Sequence, residues 1–121
     1  LIDCRTLAEQ SVSVIDGAVM QSEFEADSYN ETRTKALASK TLVPYCTIGY
    51  RSGVYARKLK IKYGATGVNI KNGEGVLMWT HKGGSLVQLE NRQETTSRIH
   101  TFGSAWNLAP SPTQAVFFGP W

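Results

Sequence analysis

The stretch from Thr41 to Gly64 constrains the fold more than any other part of the chain. Thr41-Leu42-Val43-Pro44-Tyr45 is a short apolar run, which predicts a buried strand. Ser52 to Tyr63 predicts a helix, because Tyr55, Leu59 and Tyr63 recur every four residues as one apolar stripe. Lys58, Lys60 and Lys62 fall mainly off that stripe and read as a solvated face. Gly64 is placed as the residue after the helix, where a left-handed conformation is cheap for glycine. Pro44 cannot donate a ladder hydrogen bond, so a sheet edge or a local irregularity is expected there.

Strand and helix signals alternate elsewhere too. Residues 1 to 5 read as a strand, Asp16-Gly17 as a turn, and Ala18 to Met20 as a second short strand. A helix is expected within Ser28 to Ser39, where Arg33, Lys35, Ala36, Leu37 and Ala38 are mostly good formers. A further strand is expected at 67 to 70, then a turn at Lys71-Asn72-Gly73 and a short helix through Leu77 and Trp79, with Trp79 in the core. The alternation predicts an α/β domain with a mainly parallel central sheet. Ligands of such sheets sit at the carboxyl ends of strands. Asp3 and Arg5 share one strand face and read as a structural polar pair.

The loop Cys46-Thr47-Ile48-Gly49-Tyr50-Arg51-Ser52 occupies such a strand end. A cysteine there meets backbone N–H groups and the positive end of the helix dipole. That field favours thiolate over thiol, and the thiolate is the nucleophile. Arg51 adds positive charge in the same loop. The bland reading of a single cysteine is a small buried hydrophobe. Cys4 is read that way, as core packing in preference to a resolving thiol.

The loop resembles the active-site loop of the rhodanese family of sulfurtransferases, where Cys-x-x-Gly-x-Arg-Ser is a common form. Leu1-Ile2-Asp3-Cys4-Arg5 resembles the family strand ending in Asp-x-Arg. Ile15-Asp16-Gly17-Ala18-Val19 resembles its strand entry, without the usual His and Pro. Arg51-Ser52, Ala56, Leu59 and Gly64 match the helix after the loop, and Val68-Asn69-Ile70, Gly73, Gly75 and Trp79 match the following strand and helix. The resemblance covers roughly residues 1 to 85, in family order. It implies one rhodanese-like three-layer domain over 1 to 121, with residues 86 to 121 as an extension packed on it through Phe102, Trp106, Phe117, Phe118 and Trp121. The extension is expected to cover a sheet edge or face left open where the family usually has a preceding strand and helix.

The function so implied is sulfur transfer through a Cys46 persulfide. Cys46 and Arg51 take the catalytic roles, and Thr47, Ile48, Gly49, Tyr50 and Ser52 bind substrate. Backbone N–H groups of 47 to 52 would stabilise the anionic sulfur. Ser52 caps or begins the helix and offers its hydroxyl, and Tyr50 lines the pocket mouth. Arg51 stiffens the loop through an acidic partner that the sequence does not identify. The partners implied are a small sulfur-donor anion such as thiosulfate and a thiol, cyanide or protein acceptor, with no cofactor. Thr47 stands where many thiosulfate-using members carry a basic residue. That keeps open a module that relays sulfur to a protein partner without turnover. Tyrosine phosphatases and related enzymes place five residues between Cys and Arg, whereas Thr47 to Tyr50 are four. Phosphatase and arsenate reductase are therefore minor readings.

The remaining features exclude more than they propose. A chain of 121 residues holds one compact domain. No apolar run is long enough to span a bilayer, and the chain opens in a strand with no signal or transit peptide expected among these residues. A net charge of +3 favours small anions without predicting nucleic-acid binding. Two cysteines are too few for a disulfide framework and lack metal-ligand spacing. His81 and His100 stand apart from them and read as surface or packing residues. Asn30-Glu31-Thr32 fits a glycosylation pattern that is common by chance. A free thiolate suits a reducing compartment, cytoplasmic or organellar.

Overall fold

A computed structural model describes residues 1–27, 30–101, 108–110 and 114–116, the last three by their backbone. It is mixed α/β, built on short parallel strands. Strand β1 (Ile2–Asp3) pairs in parallel with β2 (Val19–Met20) on one side and β4 (Pro44–Tyr45) on the other. Strand β3 (Thr41–Leu42) pairs in parallel with β5 (Asn69–Ile70). Segment 41–45 runs through the middle, because successive carbonyls point to opposite neighbours. Val43 O and Tyr45 O accept from Ile2 N and Cys4 N, whereas Leu42 O and Pro44 O accept from Lys71 N and Gly73 N. Pro44 thus lies in a central segment rather than at an edge. The expected irregularity is present as a break between β3 and β4 at Val43. The proline nitrogen faces the β5 side, where Pro44 bonds through its carbonyl, to Gly73 N.

Period-two alternation splits the apolar residues between the two sheet faces. One face carries Ile2, Leu42 and Ile70 under Tyr55, Ala56, Leu59 and Tyr63 of helix α4 (Tyr50–Tyr63). The stripe expected from the sequence is therefore buried, and Lys58, Lys60 and Lys62 are exposed. The other face gathers Ile15, Ala18, Tyr45, Val76, Leu77, Leu86 and Ile99. Full burial of each such side chain is worth about 1.5–3 kcal/mol. Strand β6 (Leu86–Val87) pairs antiparallel with β7 (Thr95–Thr96), and Val87 exchanges hydrogen bonds with Val14. Strand β8 (Arg98–His100) pairs in parallel with β9 (Gln114–Val116) and brings Ile99 and His100 into the interior beside helix α1 (Leu7–Val12). The five aromatics of the extension lie outside the described residues.

Asp3 and Arg5 form a buried fork, Nε to Oδ1 at 3.0 Å and Nη2 to Oδ2 at 2.7 Å. Arg5 Nη2 also donates to Ser13 O, and the Tyr45 hydroxyl donates to Asp3 Oδ2 at 2.6 Å. This network ties β1, the end of α1 and β4 together below the Cys46 loop.

Several local expectations need correction. Helix α4 begins at Tyr50, with Gly49 as its N-cap, so Ser52 is in the first turn and does not cap. Gly64 is right-handed; the left-handed glycine that follows the helix is Gly67, at φ 80°. Gly64 is still required, since a Cβ there would meet Lys60 O at 2.5 Å. Trp79 is not core. On helix α5 (Val76–His81), Val76 and Leu77 point inward, and a residue two positions beyond Leu77 lies about 200° round the helix. Trp79 is 40% exposed, covers Gly84 and donates its indole N–H to Ser85 O at 2.8 Å. Helices α1 and α2 (Gln21–Ala26) have no counterpart in the sequence expectations, and α3 (Glu31–Ala38) falls within the helix expected at 28 to 39. Asn30 caps α3 through Arg33 N, an ordinary structural use of the residue in the glycosylation pattern.

Candidate active site

Cys46 stands at the carboxyl end of β4, bridged in parallel to Gly75. Its N–H donates to Glu74 O at 3.3 Å, and its carbonyl accepts from Val76 N at 2.8 Å. The residue is 1% exposed, beneath the loop that enters α4. Gly49 N–H points at Sγ from 3.1 Å, and Ser52 Oγ lies 3.4 Å away. Burial pushes the thiol pKa up, but the Ser52 hydroxyl and the N–H groups of Ser52, Gly49 and Ile48 favour the anion more. The net direction is down from the ordinary cysteine value. The local fold thus favours the thiolate more than an ordinary cysteine environment does.

Gly49 is the hinge of this geometry. Its φ of 102° turns the N–H toward Sγ, and a Cβ would approach the Glu74 backbone at 3.1 Å. Only glycine adopts that conformation without strain. Opposite it, Glu74 holds φ 62°, a rare backbone state for a side-chain-bearing residue. Asn72 clamps the two segments: Nδ2 donates to Gly49 O at 2.9 Å, while Oδ1 accepts from Glu74 N at 3.1 Å and faces Ser52 Oγ at 2.8 Å. Ser52 has one proton and three acceptors in reach, Sγ, Asn72 Oδ1 and Glu74 O at 3.0 Å. Its hydroxyl turns to the sulfur when the sulfur becomes an anion.

Arg51 and Thr47 face inward. Arg51 Nη1 and Nη2 grip the two oxygens of Glu9 at 2.8 Å each, and Nη2 also donates to Thr47 Oγ1 at 3.0 Å. Thr47 Oγ1 donates to Glu9 Oε1 at 3.1 Å. Glu9 is fully buried and closes a capping box on α1, accepting from Thr6 N at 2.8 Å. Burial raises its pKa, but Arg51 and Thr6 outweigh that and hold it at about 2. His100 is also fully buried, with Nδ1 3.9 Å from Glu9 Oε1. Burial drives its imidazole below the ordinary value, with the Glu9 charge partly opposing. Glu9 is the acidic partner of Arg51, 42 residues away in sequence.

The structure therefore gathers Cys46, Ile48, Gly49 and Ser52 around one sulfur and turns the side chains of Thr47 and Arg51 toward Glu9. Tyr50 is 76% exposed at the start of α4. An open groove of about 490 Å³ runs beside the loop, lined by Ile48, Gly49, Asn72, Glu74, Gly75, Leu77, Met78, His81 and Leu108. His81 Nε2 lies 2.7 Å from Leu108 O. Among the described residues, no group of three or more His, Cys, Asp or Glu is placed to hold a metal ion, and no helix is long and apolar enough to cross a membrane. Comparisons with protein-family models, curated proteins and solved structures found no match.

Proposed function

We propose that the chain is a rhodanese-like sulfurtransferase that carries sulfane sulfur on Cys46. The observation that supports this most is the ring of donors about Sγ: Gly49 N–H at 3.1 Å, Ser52 Oγ at 3.4 Å and the N–H groups of Ile48 and Ser52, which together lower the thiol pKa despite burial. A donor would have to come from the groove beside Gly49 and Glu74, whose lining does not include the buried Cys46. The Cys46 thiolate attacks the outer sulfur of a donor such as thiosulfate. The Cys46–sulfur bond forms, the donor sulfur–sulfur bond breaks, and sulfite leaves with the electron pair. An acceptor nucleophile, cyanide in an assay, then takes the outer sulfur and returns the thiolate. The same donors stabilise the persulfide anion, as an oxyanion hole stabilises oxygen.

Arg51 acts in this reading as a positioning residue. Its fork is filled by Glu9, so it presents a neutral pair rather than a free cation. A phosphate or arsenate dianion would find little charge to bind, which weighs against the phosphatase and arsenate reductase readings. The same neutrality favours, as the second reading, a relay charged by a protein donor. Thiocyanate formation from thiosulfate and cyanide separates these. Turnover that Cys46→Ser abolishes is expected of the enzyme; single loading without turnover is expected of the relay. Hydrolysis of an aryl phosphate would overturn both.

A further inference from the structure

Cys4 lies beside Cys46. The parallel register of β1 and β4 pairs Ile2 with Pro44 and Asp3 with Tyr45, and the next bond, Cys4 N to Tyr45 O at 2.9 Å, carries that register on to Cys4 and Cys46. Adjacent strands lie about 4.8 Å apart. A disulfide needs Cα atoms about 4.4–6.8 Å apart. Both thiols are on the α4 face: Cys4 packs on the cluster of Tyr55 and Leu59, and Cys46 Sγ accepts from Gly49 at the start of α4. Both cysteines are free, Cys4 half-buried and Cys46 buried.

We infer that Cys4 is a resolving thiol, which converts persulfidated Cys46 into a Cys4–Cys46 disulfide and releases sulfide. The step rests on the persulfide reading of Cys46. Cys4 Sγ attacks Cys46 Sγ, the inner sulfur. The Cys4–Cys46 bond forms, the Cys46–outer sulfur bond breaks, and the outer sulfur leaves as hydrosulfide with the Cys4 proton. Cys4 sulfur is oxidised and the outer sulfur reduced, so no external oxidant is needed. A dithiol reductant then restores both cysteines. The attack needs the Cys4 thiolate. Burial, followed by the charges of Asp3 and Cys46, pushes Cys4 up to about 12, so Cys4 rests protonated and loss of its proton limits the rate of the step.

The test loads the fully reduced whole chain with sodium tetrasulfide, which does not depend on thiosulfate turnover. Intact mass, cysteine-peptide mapping and sulfide release are followed over time. Wild type is expected to gain one sulfur, then lose it as sulfide and end with two hydrogens fewer and a Cys4–Cys46 cross-linked peptide. Cys4→Ser and Cys4→Ala, the second keeping an apolar side chain at the α4 face, are expected to hold the added sulfur on Cys46. A wild-type persulfide that lasts as long as theirs, with no cross-link, overturns the resolving role alone. Failure to load Cys46 in the Cys4 variants overturns the persulfide reading and this step with it.

Discussion

At the scale of single residues, the site depends on how many donors one sulfur holds. Ser52 is the donor that can be removed with the least disturbance. Ser52→Ala deletes the hydroxyl and leaves the backbone N–H groups. A hydrogen bond to a charged group is worth about 1.5–3 kcal/mol. At a pH below the wild-type midpoint, alkylation of Cys46 by iodoacetamide should therefore slow by about tenfold or more in Ser52→Ala. The midpoint of its pH profile should rise toward that of an ordinary thiol, while wild type titrates below it. An unchanged profile would remove Ser52 from the site. Cys46 and Gly49 were legible from the sequence, because the motif is contiguous. Glu9 and Asn72 were not, since no periodicity links a carboxylate to an arginine 42 residues on or an amide to a serine 20 residues back. One local signal for Glu9 does exist: Thr6-x-x-Glu9 is a capping-box spelling.

At the scale of elements, the loop between β4 and α4 is held from the side by the start of α5. Gly75 is the contact point. A Cβ there would meet Thr47 O at 2.1 Å and Ile48 N at 2.6 Å, backbone atoms that cannot swing away. Gly75→Ala should cost at least the 1–3 kcal/mol of ordinary overpacking, read as a lower urea midpoint. It should also displace Gly49 and slow Cys46 alkylation. A stable variant with wild-type reactivity would show that α5 does not set the loop. The strand at 41–45 and helix α4 were readable because each has a clear apolar pattern. Helices α1 and α2 were not. Each has six residues, and α1 turns Glu9 and Gln10 inward where an apolar stripe would announce a helix. Trp79 misled for the opposite reason: a large aromatic next to two core residues sits on the outer side of its helix.

At the scale of the whole molecule, the buried polar cluster links the extension to the site. Glu9 receives α1 through Thr6 and the loop through Thr47 and Arg51, and His100 of β8 stands 3.9 Å from it. Its folded pKa of about 2 lies below the unfolded value of 4.5. A depressed carboxylate contributes stability above the unfolded value and loses it as pH falls toward the folded one. Glu9 should thus contribute about 3 kcal/mol at neutral pH, lost between about pH 4.5 and 2. Glu9→Gln should be less stable at pH 7 and should lack that acid slope in urea unfolding. A parallel slope in both proteins would deny Glu9 the role.

In the proposed function Cys46 accepts a sulfane sulfur. The most direct measurement is intact mass after incubation with thiosulfate, for wild type and Cys46→Ser. Sulfur transfer through Cys46 predicts a gain of one sulfur in wild type, absent in the variant and discharged by cyanide. No gain at donor concentrations far above the usual range, or a gain that persists in Cys46→Ser, would contradict sulfur transfer from thiosulfate through Cys46.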